Sequence, residues 1–314
     1  MALAAPARYV ASTLVGPGRV QVERLPRPRP AAGEVLIRLE GCGVCGSNVP
    51  PWEGRSWFSY PFSPGAPGHE GWGSVDELGE GVEGPGVGTR VAALSFAAFA
   101  ELDVAPAAHV VELSPELAGV PFPGEGVGCA VNVFRRSRIR SGSRVAIVGC
   151  GFLGLLLVQL AAAEGADVTA FSRRHFAREL AHTAGAGATL GLDDDPEETF
   201  DVVIEAAGVQ ETLDLAARLT RERGTLVVAG FHQDGPRVVD LQLWNWRGLD
   251  VVNAHERDPE VYLEGIRAAV DLAASGVLDV EGLVTHRFPL GRLSDALETA
   301  RARPDGFLKA VVIP

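Results

Sequence analysis

The sequence Arg144-Val-Ala-Ile-Val-Gly-Cys-Gly-Phe-Leu-Gly154, which continues in apolar residues to Ala163, decides the fold of this 314-residue chain. Hydropathy alone would assign the run 145–163 to a membrane span. The glycines inside the run instead favour a buried strand at 144–148, a turn and a buried helix at 152–163, because strands covered on both faces are continuously apolar. We therefore predict a strand–turn–helix unit and no membrane partner.

The turn of this unit has the spacing G-x-G-x-x-G. In such a turn the first glycine permits a tight bend, the second lets the backbone approach a pyrophosphate, and the third lets helix and strand pack closely. The start of the following helix offers N–H groups and a positive dipole end to the phosphates. The predicted dinucleotide site comprises Gly149, Gly151, Phe152, Leu153 and Gly154.

Strand and helix patterns alternate along the middle of the chain. The predicted strands are 144–148, 167–171, 201–204, 225–229 and 249–253, and the predicted helices are 152–163, 174–184 and 210–220. This alternation is typical of right-handed βαβ units around a doubly wound parallel sheet, the Rossmann arrangement.

The first hundred residues have a different pattern, with short strands separated by proline and glycine. Strands are predicted at 19–25, 35–39, 71–78, 90–94 and 100–104, with an aromatic-rich loop at 52–62. Near the end of the chain, an amphipathic helix is predicted at 261–275 and a strand at 309–313. We therefore expect an α/β protein with two domains, one of them mainly β.

The end of the predicted strand 167–171 indicates which nicotinamide cofactor is bound. NAD-binding sites place a carboxylate here for the ribose 2′-hydroxyl. This chain instead has Ser172, Arg173 and Arg174, which can donate hydrogen bonds to a 2′-phosphate. The pattern favours NADP(H) over NAD(H), although the same arginines could be solvated charges at a helix start.

A second group of residues has the chemistry of a metal site. Cys45 is followed by Ser47 and Asn48, and His69 is followed by Glu70. Thiolate, imidazole and carboxylate are zinc ligands. On residue types alone, the same positions could be a loop thiol and a core histidine. The Cys42–Cys45 spacing, C-x-x-C, has no second copy in the sequence for a structural zinc site.

The composition excludes several classes of protein. The net charge of −12 argues against a nucleic-acid partner, which needs a basic surface, and against a polybasic membrane anchor. Four cysteines are too few for a disulfide scaffold, and the first ten residues lack the pattern of a signal peptide. We therefore expect a cytoplasmic protein.

Several ordered motifs together resemble the zinc-dependent medium-chain dehydrogenases/reductases, the family of alcohol and polyol dehydrogenases. The resemblance covers nearly the whole chain. Its motifs are Val35-Leu-Ile-Arg38, Gly41-Cys-Gly-Val-Cys45-Gly-Ser, Pro67-Gly-His69-Glu70-Gly, Gly88-Thr-Arg-Val91, the Gly149 turn, Glu205-Ala-Ala-Gly208 and Phe307-Leu-Lys309. It implies a GroES-like β domain at 1–125 and 257–314 around a Rossmann domain at 126–256.

The resemblance also implies roles for individual residues around a catalytic zinc ion. Cys45 and His69 match two ligands, and Glu125 matches the third by its distance from the Rossmann strand, with Cys129 as the competing candidate. Glu70 matches a carboxylate close to the metal. Ser47 matches the hydroxyl that contacts the substrate oxygen and starts proton transfer.

Further implied contacts are those to the cofactor. Lys309, the only lysine of the chain, matches a cation that reaches the pyrophosphate. Gly230 and Phe231 match the segment that lines the nicotinamide.

The chain also departs from the family pattern. Asn48 replaces a usual aspartate, and we expect its amide carbonyl to accept a hydrogen bond from His69. Pro50 replaces a relay histidine of some members. The short link 93–99 replaces a four-cysteine lobe, so one zinc ion per chain is expected.

The resulting functional prediction is hydride transfer between NADP(H) and a secondary alcohol or polyol, or the corresponding ketone or aldehyde. The alternatives are a zinc-free quinone or enoyl reductase of the same superfamily and a non-catalytic NADP-binding protein. Apolar residues at 251–253 indicate an edge strand that can pair with a second chain. A homodimer or homotetramer is therefore expected.

Overall fold

The computed structural model describes residues 8–194, 196, 198–232 and 235–314. Its strands are β1 Arg8–Gly16, β2 Arg19–Pro26, β3 Glu34–Val44, β4 Glu70–Leu78, β5 Arg90–Ala93, β6 Leu102–Pro106, β7 Val110–Glu112, β8 Arg144–Val148, β9 Asp167–Phe171, β10 Ala188–Leu190, β11 Phe200–Glu205, β12 Thr220–Val228, β13 Asp250–Asn253, β14 Val284–Pro289 and β15 Lys309–Ile313. Its α-helices are α1 Val49–Glu53, α2 Gly124–Ser137, α3 Phe152–Ala163, α4 His175–Thr183, α5 Gln210–Leu219, α6 Leu241–Arg247, α7 Pro259–Ala274 and α8 Leu293–Ala302.

The chain divides into two compact units. Unit 1 comprises Met1–Gly128, Ile266–Ala274 and Val280–Pro314, and unit 2 comprises Cys129–Gly265 and Ser275–Asp279. The domain boundaries predicted from the sequence, 125/126 and 256/257, lie three and nine residues before the divisions at 128/129 and 265/266. Helices α2 and α7 run through the points of division.

Unit 1 is built on a mainly antiparallel sheet with the strand order β14-β15-β3-β4-β5-β7, in which β6 also pairs with β3. β1 and β2 form a separate antiparallel ribbon. In the register, β3 runs between β15 and β4, so that Gly43 lies opposite both Val311 and Glu70. The alternating apolar residues of β3, among them Val35, Ile37 and Leu39, fill the core of this unit.

Unit 2 contains the predicted parallel sheet, with the order β10-β9-β8-β11-β12-β13. This is the strand order of a dinucleotide-binding fold, and it confirms the predicted fold class. Residues 145–148 of β8 are fully buried, as are residues 155–158 of α3. The apolar run 145–163 is therefore a central strand and a buried helix, and none of the described helices has the length and apolar character needed to span a bilayer.

The sequence prediction of individual elements was uneven. The bounds of β8, α3, β9 and β15 are confirmed. β6 lies two residues later than the predicted 100–104, and helix α1 lies where the aromatic loop begins. The elements without a prediction are β1, β7, β10, β14, α1, α2, α6 and α8.

Candidate active site

The loop after β3 is organised by the side chain of Asn48. Its Oδ1 accepts a hydrogen bond from the backbone N–H of Cys45 at 2.8 Å, and its Nδ2 donates to the carbonyl oxygen of Pro67 at 3.0 Å. Asn48 is 1% exposed. One buried amide therefore ties the Cys45 loop to the loop that carries His69.

The orientation of His69 is fixed by a backbone carbonyl. Its Nδ1 lies 2.9 Å from the carbonyl oxygen of Pro67, which can only accept, so Nδ1 carries a proton and Nε2 is the nitrogen left to bind either a metal ion or a second proton. The expectation that Asn48 accepts from His69 was wrong, because Nδ1 of His69 faces the Pro67 carbonyl and the Asn48 carbonyl accepts from Cys45. The Pro67 oxygen serves both side chains.

The free Nε2 of His69 faces a group of polar side chains. It lies 3.4 Å from the hydroxyl of Ser47 and 3.9 Å from a carboxylate oxygen of Glu125. Burial lowers the pKa of His69, but Cys45, Glu125 and Glu70 outweigh it and raise the pKa to about 10. This strong preference for a cation at the imidazole shows that the surrounding field is negative.

Cys45, His69 and Glu70 each bring one ligand atom to within 4.8 Å of the others. The sulfur, nitrogen and oxygen donors of this cluster fit zinc, which accepts mixed thiolate, imidazole and carboxylate ligands. Cys42 takes no part in it. Its thiol is 1% exposed, donates to the carbonyl of Gly43, and has a pKa well above the usual range because of burial.

Glu70 is held by a buried cation. The Nζ of Lys309 lies 2.7 Å from Oε1 and 2.5 Å from Oε2 of Glu70, and the two residues are 4% and 1% exposed. Burial lowers the pKa of Lys309, but Glu70 and Cys45 more than offset this and raise it. The pyrophosphate contact implied for Lys309 stays a prediction, and the partner found in the structure is Glu70.

This pair depends on the absence of a side chain at Gly43. A Cβ atom there would lie 1.8 Å from Oε2 of Glu70 and 2.9 Å from the Cβ of Pro123. The Glu70 carboxylate thus occupies the space above β3 that any other residue would fill.

Glu125 enters this site from the first turn of α2. Cys129, the competing ligand candidate, follows four residues later, on the same face of that helix. Of these two candidates, Glu125 belongs to unit 1, as Cys45 and His69 do, and Cys129 belongs to unit 2.

In unit 2, the glycine turn between β8 and α3 has the close packing that its sequence predicts. Gly149 has φ +107° and a Cβ there would lie 2.8 Å from that of Ala207, while a Cβ on Gly154 would lie 1.9 Å from the Gly149 carbonyl oxygen. Gly151 caps α3 without a side-chain hydrogen bond and faces open space. Phe152 and Leu153 form the first turn of this helix. A pyrophosphate can therefore approach the backbone here.

The end of β9 carries a group of basic side chains. The Ser172 hydroxyl accepts from the N–H of Arg174, and Arg174 reaches the carbonyl of Cys150 at 3.4 Å. Arg173 is 68% exposed and lies 3.6 Å from Glu211. Arg178, which no sequence motif indicated, donates to the carbonyls of Ser172 and Arg173 at 2.7 and 3.3 Å. Its position one turn into α4, four residues after Arg174, was the available signal.

The ends of β11 and β12 are joined by the buried carboxylate of Glu205. It accepts hydrogen bonds from the N–H groups of Ala207 and Gly208, from Thr212, and from Nε2 of His232 at 2.7 Å. Burial raises its pKa, but these donors outweigh burial and lower it overall.

Gly230 packs against this carboxylate. A Cβ on Gly230 would lie 2.2 Å from the N of Gly208 and 2.5 Å from Oε2 of Glu205. Phe231 next to it is 38% exposed. His232, for which the sequence offered no motif, donates to Glu205 and so supports the segment predicted to line the nicotinamide. Its Nδ1 accepts a hydrogen bond from Arg237 at 3.0 Å.

Comparisons with known proteins give the family of the chain. The family model for a zinc-binding dehydrogenase matches residues 153–271, and that for an alcohol dehydrogenase GroES-like domain matches residues 31–115. The sorbitol dehydrogenase of Gallus gallus is 28% identical, over 95% of each chain.

Two solved structures are also similar. One, described as a zinc-binding dehydrogenase of Sinorhizobium meliloti 1021 bound to NADP, has a TM-score of 0.85, 27% identity and coverage of 98% of this chain and 100% of the other. The other is a cobalt- and zinc-bound thermostable alcohol dehydrogenase of Pyrobaculum aerophilum, with the same TM-score, identity and coverage.

The chain therefore belongs to the zinc-dependent medium-chain dehydrogenase/reductase family and is an NAD(P)-dependent enzyme of the alcohol dehydrogenase/reductase type. The family and the enzyme class predicted from the sequence motifs are confirmed.

Replacing Gly43 by alanine tests the close approach of Glu70. The added Cβ has no room beside Oε2, so Gly43→Ala should lower the free energy of unfolding by about 1–3 kcal/mol or more, as overpacking does. Gly46→Ala, three residues later in the turn after β3, is the control, because its Cβ meets nothing closer than 3.8 Å. Urea unfolding of both variants measures the difference, and equal stabilities would contradict the packing described.

Lys309→Met tests the buried ion pair. It leaves the Glu70 carboxylate unpaired and should destabilise the fold by about 3–5 kcal/mol. The double variant Lys309→Met/Glu70→Leu removes both charges and should recover most of the loss. A double-mutant cycle by chemical denaturation measures the coupling. Additive losses in the double variant would show that the two side chains do not depend on each other.

Proposed function

We propose that the chain is a zinc-dependent oxidoreductase that transfers a hydride between NADP(H) and a secondary alcohol or polyol, or the corresponding ketone or aldehyde. The observation that carries this proposal is the cluster of thiol, imidazole and carboxylate around the free Nε2 of His69. The sorbitol dehydrogenase similarity supports a polyol-like substrate.

The proposed zinc ligands are Cys45, His69 and Glu125. Glu70 lies within the cluster, but both of its oxygens face Lys309, so its charge is already compensated. Glu125 has no such lysine partner in contact, and its carboxylate is 3.9 Å from Nε2 of His69. Glu70 is thus placed to adjust the field at the metal.

The bound groups would supply Lewis acidity to the substrate oxygen and a nicotinamide carbon for the hydride. The chain supplies position and proton transfer. Ser47, whose hydroxyl is 3.4 Å from Nε2 of His69, is placed to exchange a proton with the substrate oxygen. Gly230 and Phe231, supported by Glu205, orient the nicotinamide.

The preference for NADP(H) rests on the charges at the end of β9. Ser172, Arg173 and Arg174 offer donors to a 2′-phosphate, and Arg178 fixes the backbone that presents them. The similar Sinorhizobium structure is bound to NADP.

We also infer that the chain forms a homodimer, or a homotetramer built from it. β13 is the last strand on its side of the unit 2 sheet. Val251 on this strand is 42% exposed, and Trp246 of the preceding helix α6 is 84% exposed. An apolar, unpaired edge is a surface on which a second chain can add its own strand.

The metal prediction is one zinc ion per chain. Of its three proposed ligands, Cys45 and His69 are expected to be indispensable for zinc binding. Cys45→Ser and His69→Ala should abolish turnover and zinc binding and leave NADP(H) binding intact, because the cofactor residues lie elsewhere. Cys42→Ala, in the same motif but buried in the core, should keep its zinc. Elemental analysis, cofactor titration and turnover of an alcohol and ketone panel measure these effects.

The same measurements decide between the candidates left open. Loss of zinc in Glu125→Gln and not in Cys129→Ser identifies the third ligand. Turnover by zinc-free protein would indicate a zinc-free reductase, and zinc without turnover on the panel would indicate a non-catalytic protein. Two zinc ions per chain would contradict the interpretation of the 93–99 link.

The cofactor prediction is that kcat/KM for NADP(H) exceeds that for NAD(H) by about ten- to a hundredfold. This ratio corresponds to the free energy of one charge-assisted hydrogen bond to the 2′-phosphate. Arg173→Ala should raise the KM for NADP and leave that for NAD nearly unchanged, and Ser172→Asp should shift the preference toward NAD. Because Arg173 is exposed, high salt should weaken the preference.

The control variant for this test is Arg140→Ala. Arg140 lies before the amino-terminal end of β8, whereas Ser172 to Arg174 follow the carboxyl end of β9. The variant removes the same charge and should leave the cofactor preference unchanged. Equal kcat/KM values for the two cofactors in the natural protein would show that the arginines are solvated charges only.

The assembly prediction is that Val251→Lys breaks the dimer, because it places a charge in the paired edge. Val22→Lys is the matched control, since Val22 is a similarly exposed strand valine, 48% exposed, in unit 1. Light scattering at micromolar concentration gives the mass of each. A monomeric natural protein under these conditions would refute the proposed edge.

A further inference from the structure

Unit 1 contains a cavity of about 570 Å³ beside the short link that follows β5. Its walls come from residues 94–97, from Phe62, Ser63 and Ala66 of the loop before β4, and from β6. This size is within the range of small-molecule sites. We call this cavity, with Asp103 at its β6 wall, the Asp103 pocket.

The walls of the Asp103 pocket are held in place by backbone hydrogen bonds. Phe62 donates to the Leu14 carbonyl at 2.9 Å, Ala98 to that of Gly68 at 2.9 Å, and Phe99 to that of Gly65 at 3.0 Å. The loop before β4 and the 94–99 link are therefore fastened to each other and to β1. The cavity is part of the folded unit, with a shape that a ligand meets already formed.

Asp103 is a buried carboxylate that no cation contacts among the described residues. It is 4% exposed, and its Oδ2 has no hydrogen-bond partner in the described part of the chain. The hydroxyl of Ser95, another wall residue, is buried close to this carboxylate. Burial raises the pKa of Asp103 to about 6, against the influence of the nearby Ser95 hydroxyl and the Val104 N–H. Asp103 is therefore still mainly an anion at neutral pH.

An unpaired anion in a buried position lowers stability, so its presence calls for a partner that the fold itself does not provide. Around it the pocket is apolar, with the rings of Phe62 and Phe96 among its walls. Aromatic faces attract organic cations, and a carboxylate forms its strongest hydrogen bonds with charged N–H donors.

We propose that the Asp103 pocket binds a small organic cation, in which a guanidinium or primary ammonium group donates to Asp103 and an apolar body packs against Phe62 and Phe96. This site uses none of the residues assigned to hydride transfer. Its wall residue Phe96 stacks on the ring of His69, with centroids 6.5 Å apart, so the pocket adjoins the proposed metal ligands, but the proposal does not require hydride transfer.

The test compares two probes of nearly the same shape, n-butylguanidinium and n-butylurea, by isothermal titration at neutral pH. The guanidinium stays protonated and is therefore a poor metal ligand, so binding at the Cys45 cluster does not interfere. It should bind the natural protein at least about tenfold more tightly than the urea, since only it forms a charge-assisted hydrogen bond.

Asp103→Asn should remove this preference, while Glu83→Gln, which removes one exposed charge from the same unit, should keep it. Preference retained in Asp103→Asn would show that the cation binds elsewhere on the acidic surface and would overturn the proposal. Equal binding of both probes by the natural protein, or binding of neither, would also overturn it.

A stability measurement checks that Asp103 is not a structural residue. Asp103→Val replaces an unpaired charge by a strand-forming apolar side chain and should raise Tm. Saturating n-butylguanidinium should raise the Tm of the natural protein and not that of Asp103→Asn. A lower Tm for Asp103→Val would mean that the fold itself uses the carboxylate, and the proposal would fail.

Discussion

The buried ion pair of Lys309 and Glu70 is the contact on which the metal-binding side of this enzyme depends. It joins β15 to β4 across the intervening strand β3, and it can do so only because Gly43 has no side chain. β3 and β4 are antiparallel, so the end of one lies beside the start of the other. Cys45 follows the last residue of β3, and His69 precedes the first residue of β4. The pair therefore fixes the two strand ends that present the thiol and the imidazole.

Unit 2 also has a buried carboxylate that holds two segments together, but this carboxylate is bound by hydrogen-bond donors and not by a lysine. Glu205 has no lysine and is held by donors from Ala207, Gly208, Thr212 and His232. These donors belong to the segments after β11 and β12, which the single carboxylate draws together. In each unit, therefore, a buried acid holds the backbone that presents functional groups, and its own charge is compensated within the unit. Buried charges held by partners in this way favour one local geometry.

Sequence patterns predicted what depends on local chemistry and failed where distant residues meet. β8, α3 and β9 were assigned correctly because a buried parallel strand, a glycine turn and an apolar helix each leave a continuous signal. The positions of Cys45, His69 and Glu70 followed from motifs. The Lys309–Glu70 contact had no such signal, because its partners are 239 positions apart in the chain. Helix α2 has three glycines in its first five residues, Gly124, Gly126 and Gly128, and these masked its helical pattern.

Asn48 shows why a departure from the family pattern is compatible with the site. Its carbonyl accepts from Cys45 and its amide group donates to the Pro67 carbonyl, so the position needs an acceptor and a donor together. An ionised aspartate has only acceptors and would place a negative oxygen against the Pro67 carbonyl. With asparagine, that carbonyl is held in place and takes the Nδ1 proton of His69. The imidazole is therefore oriented by a neutral oxygen, which increases its basicity less than a carboxylate would. The negative field at Nε2 comes instead from Cys45, Glu125 and Glu70, on the side where a metal ion would lie.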